Sequence, residues 1–330
     1  MFKWGIIGLG RIANKFAKEL KETGVGELAA VGSRDITKAE AFAKEYGAAR
    51  AFGSYEELVG HGGLDAVYVA TPHHLHAYCT SKCLEAGLPV LCEKPFTINK
   101  HELTGLIHQA RVHQVFLMEA MWTRFLPHIL YLKSLHDSGR LGRLLHLRAD
   151  FAFKGKERAS AQGVSRLVVN ELGGGSLLDI GVYPVFLAQL LLGVPAVIQA
   201  EATILNEIDE TCQVILKDAE GITAYLESSI LWESDTSAQL FYEKGSVLLP
   251  RRWHERGEMI IKPENGEAEI KNWDYPNRGF YYQIKEVQDC VQAGKLESDL
   301  MPLHFSLQIM DTLDRIRTLI GLKYPADLMK

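Results

Sequence analysis

A glycine-rich turn near the start of the chain constrains the fold more than any other feature of the sequence. The turn, Gly8-Leu9-Gly10-Arg11-Ile12-Ala13, directly follows the apolar run Trp4-Gly5-Ile6-Ile7. The apolar run predicts a buried strand, and the residues after the glycines predict a helix that begins at once. A strand and a helix joined by so tight a turn are typical of the first βα unit of a parallel sheet covered by helices.

The same turn is suited to hold a dinucleotide. Gly8 permits the tight turn, Gly10 lets the backbone approach a pyrophosphate, and Ala13 lets the helix pack close to the strand. The helix N-terminus then offers backbone amides and a partial positive charge to the phosphates. A plain strand–helix turn is the alternative, which the long alternating series after it disfavours. The cofactor-binding residues predicted here are Gly8, Leu9, Gly10, Arg11 and Ile12.

The pattern of the chain changes near residue 121. Before that point, apolar strands alternate with helices, which predicts a doubly wound parallel sheet of the α/β Rossmann class. After Met121, several strands follow one another with short polar turns, and two helices close the chain. We therefore expect a dinucleotide-binding Rossmann domain at 1–121 and an α+β domain with a mostly antiparallel sheet at 122–330.

The end of the second strand indicates which dinucleotide is bound. NAD enzymes commonly carry an acidic residue there, which accepts hydrogen bonds from the ribose hydroxyls. In this chain the strand tip carries Ser33 and Arg34, and Asp35 is expected to cap the next helix. Ser33 can donate to a 2′-phosphate, and Arg34 can pair with that phosphate and stack on adenine. The sequence therefore favours NADP, while NAD stays possible if the Asp35 carboxylate turns inward.

Two further strand ends contribute candidate site residues. Thr71, Pro72 and His73 follow one strand, and Glu93 and Lys94 lie at the end of the next. Ligands bind at the carboxyl ends of the strands in open parallel sheets, so these residues are expected to border the cofactor.

Three histidines lie within four positions, at His73, His74 and His76. A metal site is disfavoured because no carboxylate or cysteine lies at the spacing of zinc ligands, and because His73 and His74 would diverge at a helix start. His76 is a candidate substrate contact. A solvent-facing histidine at a helix start is an equally good interpretation.

A lysine and a tyrosine far apart in the sequence predict the proton chemistry. Lys94 is expected to point into the cofactor cleft, and Tyr183 closes the run that begins with Gly173-Gly174-Gly175. Tyrosine has an ordinary pKa of about 10, and a nearby ammonium favours the ionised phenolate. Tyr183 can then accept a hydroxyl proton during oxidation or donate one during carbonyl reduction. Asp179, four residues before Tyr183, is expected on the same helix face.

Composition argues against several other classes of protein. The net charge of −5 and the lack of a basic stripe argue against nucleic acid or an anionic membrane as a partner. No apolar stretch approaches the ~20 residues of a membrane span, and no secretory signal is recognisable. Five scattered cysteines do not suit a disulfide framework and are interpreted as buried thiols. A cytoplasmic location is therefore expected.

These motifs together resemble the Gfo/Idh/MocA oxidoreductases. The motifs are the N-terminal Gly-Leu-Gly-Arg-Ile-Ala turn, Glu93-Lys94-Pro95, and Gly-Gly-Gly-x-x-x-Asp179-x-Gly181. Segments 91–95, 118–125 and 177–183 are most similar to the dimeric dihydrodiol dehydrogenase branch, which also includes NADP-dependent D-xylose dehydrogenases. The resemblance covers essentially the whole chain.

The resemblance implies a catalytic tyrosine at Tyr183, assisted by Lys94, with His76 and Asp179 nearby. Many sugar and inositol dehydrogenases of the family carry histidine where this chain has Tyr183. That difference weakens any transfer of an inositol-type function to this chain.

The resemblance also implies roles for the second domain. Trp122 and Arg124 match the branch and are expected to border the substrate pocket, although a core aromatic is an equally good interpretation of Trp122. Phe153 and the basic stretch 154–158 are expected to form a loop near the active site. The C-terminal sheet is expected to leave one face open for the formation of a homodimer.

The leading hypothesis is an NADP-dependent oxidoreductase that acts on a secondary alcohol or carbonyl of a sugar, polyol or cyclic trans-diol. The nearest alternative is an NAD-dependent sugar dehydrogenase of the same fold. A non-catalytic dinucleotide-binding regulator is a third possibility, which the presence of both Lys94 and Tyr183 disfavours.

Overall fold

The computed structural model describes residues 1–155, 166–255, 257–275 and 279–328. The chain divides into two compact units, each with its own sheet. The first unit comprises Met1–Trp122 and Asn277–Leu307, and the second comprises Thr123–Pro276 and Gln308–Lys330. Each unit is thus assembled from two separate parts of the chain.

The first unit is built on a parallel sheet. Its six strands are β1 (Lys3–Ile7), β2 (Glu27–Gly32), β3 (Arg50–Phe52), β4 (Ala66–Val69), β5 (Val90–Glu93) and β6 (Leu117–Ala120). They lie in the order β3-β2-β1-β4-β5-β6, which confirms the predicted doubly wound sheet. The strand order reverses beside β1, and sheets of this kind bind ligands at such a point.

Helices connect the strands of this sheet. They are α1 (Arg11–Thr23), α2 (Ile36–Tyr46), α3 (Tyr55–Gly60), α4 (His76–Glu85) and α5 (Lys100–His113). The start of α5 is fixed locally, because the side chain of Asn99 accepts a hydrogen bond from the Glu102 amide. Strands β4, β5 and β6 are buried throughout, as expected for a parallel sheet covered on both faces.

The second unit is built on a mixed sheet that is mostly antiparallel, as the sequence predicts. Its eight strands lie in the order β14-β13-β12-β11-β7-β10-β9-β8. Among these described strands, only β7 and β10 pair in parallel. The strands are β7 (Leu144–Ala152), β8 (Val197–Leu205), β9 (Ile208–Lys217), β10 (Thr223–Ser229), β11 (Ala238–Tyr242), β12 (Gly245–Leu249), β13 (Glu258–Pro263) and β14 (Glu269–Asn272).

One face of this sheet is covered by helix and the other is exposed. The first helix of this unit is α6 (Pro127–Asp137). Later in the chain, a π-helical turn, Leu177–Gly181, continues directly into α7 (Val182–Leu192), and α7 packs against β7 and β10. Along β10 the side chains alternate, with Ala224 and Leu226 buried and Tyr225 exposed. Such alternation is typical of a sheet with one solvated face.

The helical segment Asn170–Leu192 contradicts the sequence-based prediction that no apolar stretch approaches the length of a membrane span. It is long and apolar enough to cross a membrane by length and composition. Most of it is buried inside the second unit, as in the core helix of a domain, and the apolar composition is explained by that burial.

Near its C-terminus the chain returns to the first unit with α8 (Phe280–Gln292) and the start of α9 (Leu303–Ile320). The buried carboxylate of Glu19, on α1, accepts hydrogen bonds from the amides of Gly279 (3.2 Å) and Tyr281 (2.6 Å) at the beginning of α8. Residues 279–307 are therefore an integral part of this unit.

Candidate active site

The glycine turn after β1 has the geometry that the sequence predicts. Gly8 has a φ of 87°. A Cβ on Gly8 would lie 2.6 Å from the Thr71 nitrogen and 2.7 Å from the Ala70 carbonyl carbon, so only glycine fits where β1 and β4 end side by side. Gly10 is the N-cap of α1, and no described atom lies within 4 Å of the Cβ that it lacks.

The first turn of α1 is suited to an anionic ligand. No side chain caps the helix at Gly10, and its first turn contains no acidic residue. Backbone amides at a helix start attract phosphate groups. Leu9 is buried, Ile12 is half-buried and Arg11 is exposed. The residues present therefore fit a dinucleotide pyrophosphate.

The tip of β2 confirms the expected role of Asp35. Its carboxylate accepts hydrogen bonds from the amides of Thr37 (3.0 Å) and Lys38 (3.3 Å), so it caps α2. The Asp35 amide in turn donates to the hydroxyl of Ser33 at 3.2 Å. Arg34 is exposed between them. The Asp35 carboxylate, which follows this strand end in the sequence, is therefore hydrogen-bonded to the first turn of α2.

Tyr55, the first residue of α3, is a contact of Arg34 that the sequence does not reveal. Burial raises the pKa of the Tyr55 phenol, and its hydrogen bond with the Arg34 guanidinium acts in the opposite direction. The contact gives the exposed guanidinium a partner within the first unit.

His76 joins the ends of β4 and β5. Its ring is fully buried, with Nδ1 lying 2.8 Å from the Pro95 carbonyl oxygen and Nε2 lying 2.9 Å from the Thr71 carbonyl oxygen. Carbonyl oxygens only accept, so both contacts are hydrogen bonds when both ring nitrogens carry protons. The His73 ring, also buried, lies 5.5 Å from the His76 ring. The histidine thus holds the residue that follows Lys94.

The end of β5 is rich in buried acidic groups. Glu93 is buried and accepts a hydrogen bond from the Tyr68 hydroxyl, and Lys94 and Pro72 are half-buried. Burial raises the pKa of Glu119 on neighbouring β6 to about 7, while the Lys94 ammonium acts in the opposite direction. The lysine therefore lies in a region of buried carboxyl groups.

In the second unit, Asp179 lies in the π-helical turn that leads into α7. It is mostly buried, and one of its carboxylate oxygens lies 2.9 Å from an Arg166 nitrogen in an ion pair. π-Helical turns are rare and occur frequently at functional sites. Arg166 is a residue that the sequence analysis did not select.

Tyr183, in the first turn of α7, lies among aromatic rings. The ring is 5 % exposed, and its centroid is 5.5 Å from that of Phe151 and 5.1 Å from that of His254. Burial acts to raise the pKa of Glu255, but hydrogen bonds from His254 and Arg252 outweigh it and hold that pKa below its usual value. The carboxylate therefore stays ionised beside the His254 ring.

The remaining predicted residues are divided between the two units. Trp122 is buried in the first unit and stacks on Phe280 with ring centroids 5.0 Å apart, whereas Arg124 is buried in the second. Phe153 packs 6.4 Å from the Phe151 ring, and positions 156–158 of the predicted loop lie outside the described residues.

The structure thus forms two groups of predicted residues. Thr71, His76, Glu93 and Lys94 lie at neighbouring strand ends in the first unit, and Asp179 and Tyr183 lie on one continuous helix in the second. Arg166, His254 and Tyr55 were missed because no local motif marks them and their partners lie 13 to 71 positions away (179 − 166 = 13, 254 − 183 = 71).

Comparison with known proteins identifies the family of the chain. A family model described as "Oxidoreductase family, NAD-binding Rossmann fold" matches residues 2–121, and one described as "GFO/IDH/MocA C-terminal domain" matches residues 129–248. The chain belongs to the Gfo/Idh/MocA oxidoreductase family. As a member of it, the protein is an NAD(P)-dependent oxidoreductase.

Relatives in this family match the protein over its length. Trans-1,2-dihydrobenzene-1,2-diol dehydrogenase from Homo sapiens is 33% identical, with 98% of each chain covered. The enzyme of the same name from Bos taurus is 32% identical, also with 98% of each chain covered.

Solved structures share the fold of this Gfo/Idh/MocA protein. A 3-ketoreductase from Actinomadura kijaniata, solved with NADP and TDP-benzene, has a TM-score of 0.85 at 24% identity, covering 97% of this chain and 98% of its own. An aldose-aldose oxidoreductase from Caulobacter crescentus, complexed with glycerol, has a TM-score of 0.84 at 23% identity, covering 97% of each chain.

Proposed function

We propose that this protein is an NADP-dependent oxidoreductase acting on a secondary alcohol or carbonyl of a sugar, polyol or cyclic trans-diol. Tyr183 is the acid/base group, and Lys94 assists it. The main support is a phenol in the first turn of α7, next to a paired carboxylate, in a chain 33% identical to a dihydrodiol dehydrogenase over its length.

The proposed reaction needs a proton and a hydride. The bound nicotinamide supplies or takes up the hydride. Tyr183 donates its hydroxyl proton to the carbonyl oxygen during reduction, or accepts the proton of the alcohol during oxidation. The Lys94 ammonium favours the phenolate, and Asp179, paired with Arg166, orients a substrate hydroxyl.

His76 has a positioning role in this proposal. Both of its ring nitrogens face backbone carbonyls, at Thr71 and Pro95. It therefore fixes the turn that carries Lys94, and it need not touch the substrate itself.

NADP is preferred over NAD because of the tip of β2. Asp35 is occupied in capping α2, so its carboxylate is held by the amides of Thr37 and Lys38. The Ser33 hydroxyl then supplies a hydrogen-bond donor, and the Arg34 guanidinium a positive charge, for a 2′-phosphate. The NAD-dependent sugar dehydrogenase remains the alternative, and kcat/KM with each cofactor separates the two.

The replacement Tyr183→Phe tests the acid/base role. We expect kcat to fall by about a hundredfold or more, because the proton donor is lost, while the NADP dissociation constant stays within about twofold. Tyr242→Phe is the matched control, since it removes a buried phenol from β11 of the same unit. A Tyr183→Phe variant with full activity would refute the proposed chemistry.

The substrate class can be found by a direct screen. Sugars, polyols and cyclic trans-diols are offered with NADP, and the appearance of NADPH is followed by its absorbance. Turnover of the diols alone would place the protein with the dihydrodiol dehydrogenases, and turnover of aldoses alone would place it with the sugar enzymes.

We also propose that the protein works as a cytoplasmic homodimer that pairs through the open face of its second sheet. All five cysteines are buried and unbridged, which is consistent with a reducing compartment. The exposed face forms a cavity lined by side chains of both positive and negative charge, including Arg148, Glu201 and Glu227. Mixed charges on one patch suit pairing with a second copy of itself.

A further inference from the structure

A buried carboxylate on β9 contacts the beginning of the helix that carries Asp179 and Tyr183. Asp209 is fully buried, and a single oxygen, Oδ2, accepts hydrogen bonds from the Ser176 hydroxyl (2.7 Å) and the Leu177 amide (2.6 Å). The second bond satisfies a backbone donor at the start of a helix, where no residue of the helix itself can accept it.

The chain approaches this carboxylate closely. Gly175 has a φ of 113°, and a Cβ at that position would overlap Oδ1 of Asp209. Glycine is therefore required for two reasons, the backbone conformation and the close contact. The preceding residue is held as well, because the Tyr324 hydroxyl donates to the Gly174 carbonyl at 2.6 Å.

A second strand fixes the other end of the same turn. The Ser228 hydroxyl, on β10, lies 3.0 Å from the Ser176 hydroxyl, and it would lie 2.9 Å from a Cβ on Gly181. Strands β9 and β10 thus hold residues 176 and 181, which flank Asp179 and precede Tyr183. A shift of this turn would move both side chains.

We propose that Asp209 is a positioning residue, which acts through Ser176 and Leu177 to fix the helix that presents Asp179 and Tyr183 to the substrate. This inference rests on the proposed function, since it assumes that Tyr183 is the reacting group. Asp209 is fully buried, so its proposed effect is transmitted through Ser176 and Leu177.

The geometry makes a specific distinction between two replacements. Both accepted hydrogen bonds end on Oδ2, and the side-chain oxygen of an asparagine at that place would accept both of them, so Asp209→Asn keeps the contact. Asp209→Ala removes it and leaves the Leu177 amide without its acceptor.

The first experiment compares these two variants in the full-length enzyme. We expect Asp209→Ala to lower kcat by about tenfold or more, with the NADP dissociation constant within about twofold, and Asp209→Asn to restore most of the lost kcat. Asp218→Ala is the control: it removes another carboxylate that accepts two amide hydrogen bonds, in the turn after β9. An Asp209→Ala enzyme that is folded and retains kcat overturns the proposal.

A double-mutant cycle separates positioning from a general loss of structure. If Asp209 acts partly through Tyr183, Asp209→Ala lowers kcat by a smaller factor once Tyr183→Phe is present. An equal loss in both backgrounds would mean that Asp209 supports the fold alone, and it would overturn the inference.

Ser176→Ala tests the same positioning contact if the Asp209→Ala variant does not fold. It removes one of the two donors to Oδ2 and is expected to lower kcat by about threefold or more with unchanged NADP binding. A fully active Ser176→Ala overturns the inference. The proposed function and the positioning role of Asp209 can be refuted separately. An active Tyr183→Phe refutes the proposed function. An inactive Tyr183→Phe, together with fully active Asp209 and Ser176 variants, refutes only the positioning role.

Discussion

At the level of single residues, the groups expected to do chemistry are held by partners that lie elsewhere in the sequence. Arg166 pairs with Asp179, Tyr55 contacts Arg34, and His76 spans two carbonyls. Such partners set the orientation of a side chain without reacting themselves. Replacing a partner is therefore expected to change a specificity or a rate before it changes the fold.

The cofactor preference is predicted to depend on Arg34. In the Arg34→Ala variant, kcat/KM with NADP is expected to fall by about tenfold or more, because the 2′-phosphate loses its cation, while kcat/KM with NAD changes by less than about twofold. Steady-state kinetics with both cofactors measure the ratio. Lys38→Ala removes another exposed cation nearby and serves as the control. An unchanged ratio in Arg34→Ala would mean that the NADP assignment is wrong.

Asp209 is predicted to make stability depend on pH. Burial raises its pKa from the usual 3.8 to about 7. Between these values the unfolded chain loses the proton and the folded protein keeps it, so the free energy of unfolding falls as pH rises toward 7. The difference in pKa corresponds to on the order of 4 kcal/mol (7 − 3.8 = 3.2, at 1.36 kcal/mol each).

Urea unfolding of the wild type and Asp209→Asn at pH 5 and pH 8 measures this effect. The stability of the wild type relative to Asp209→Asn is expected to decrease by roughly 3 kcal/mol over that interval, because asparagine does not titrate. Parallel stabilities at the two pH values would contradict the raised pKa.

At the level of elements, the turn between β1 and α1 is the most constrained connection of the first unit. Gly8 approaches the backbone at the end of β4, so the conformation of the turn depends on that strand end. The arrangement ties the shape of this glycine turn to the neighbouring strand.

Gly8→Ala is therefore expected to cost more than the same change at another left-handed glycine. Gly47 has a φ of 79° with no described atom within 4 Å of a Cβ, so Gly47→Ala should cost about 1 kcal/mol from conformation alone. Gly8→Ala adds a backbone clash and should cost at least about 2 kcal/mol, with weaker NADP binding. Thermal unfolding and fluorescence titration measure both. Equal costs at the two positions would contradict the close approach.

The elements that the sequence predicted are those with a strong pattern. The buried parallel strands and the Asp35 cap follow from apolar runs and from local hydrogen bonding, and both are confirmed. Strands β3 (Arg50–Phe52) and β14 (Glu269–Asn272) were missed, because three or four residues, partly polar, give no period. The π-helical turn at Leu177–Gly181 also has no sequence signal.

The candidate site shows the same limit. Glu93, Lys94 and Thr71 could be placed because the ends of parallel strands meet at one edge of a sheet. Arg166 and Asp209 could not, because they reach the helix of Tyr183 only through the folding of the second unit.

At the level of the whole molecule, the open face of the second sheet is where pairing is predicted. Arg148→Glu places a like charge beside Glu201 and Glu227 in the cavity on that face, so repulsion should raise the dimer dissociation constant by about tenfold or more. Sedimentation velocity at micromolar protein measures it. Lys18→Glu, an exposed change on α1, is the control. A wild-type protein that sediments as a monomer would contradict the homodimer.

The contribution of Glu19 to the start of α8 has a consequence for the order of events during synthesis. A ribosome releases the Rossmann strands first, but Gly279 and Tyr281, which donate to that carboxylate, emerge more than two hundred residues later. The nascent N-terminal portion therefore lacks these two hydrogen bonds until residue 281 has left the exit tunnel. Chaperone contact during that interval should concentrate on the surface of α1 that residues 279–292 eventually cover.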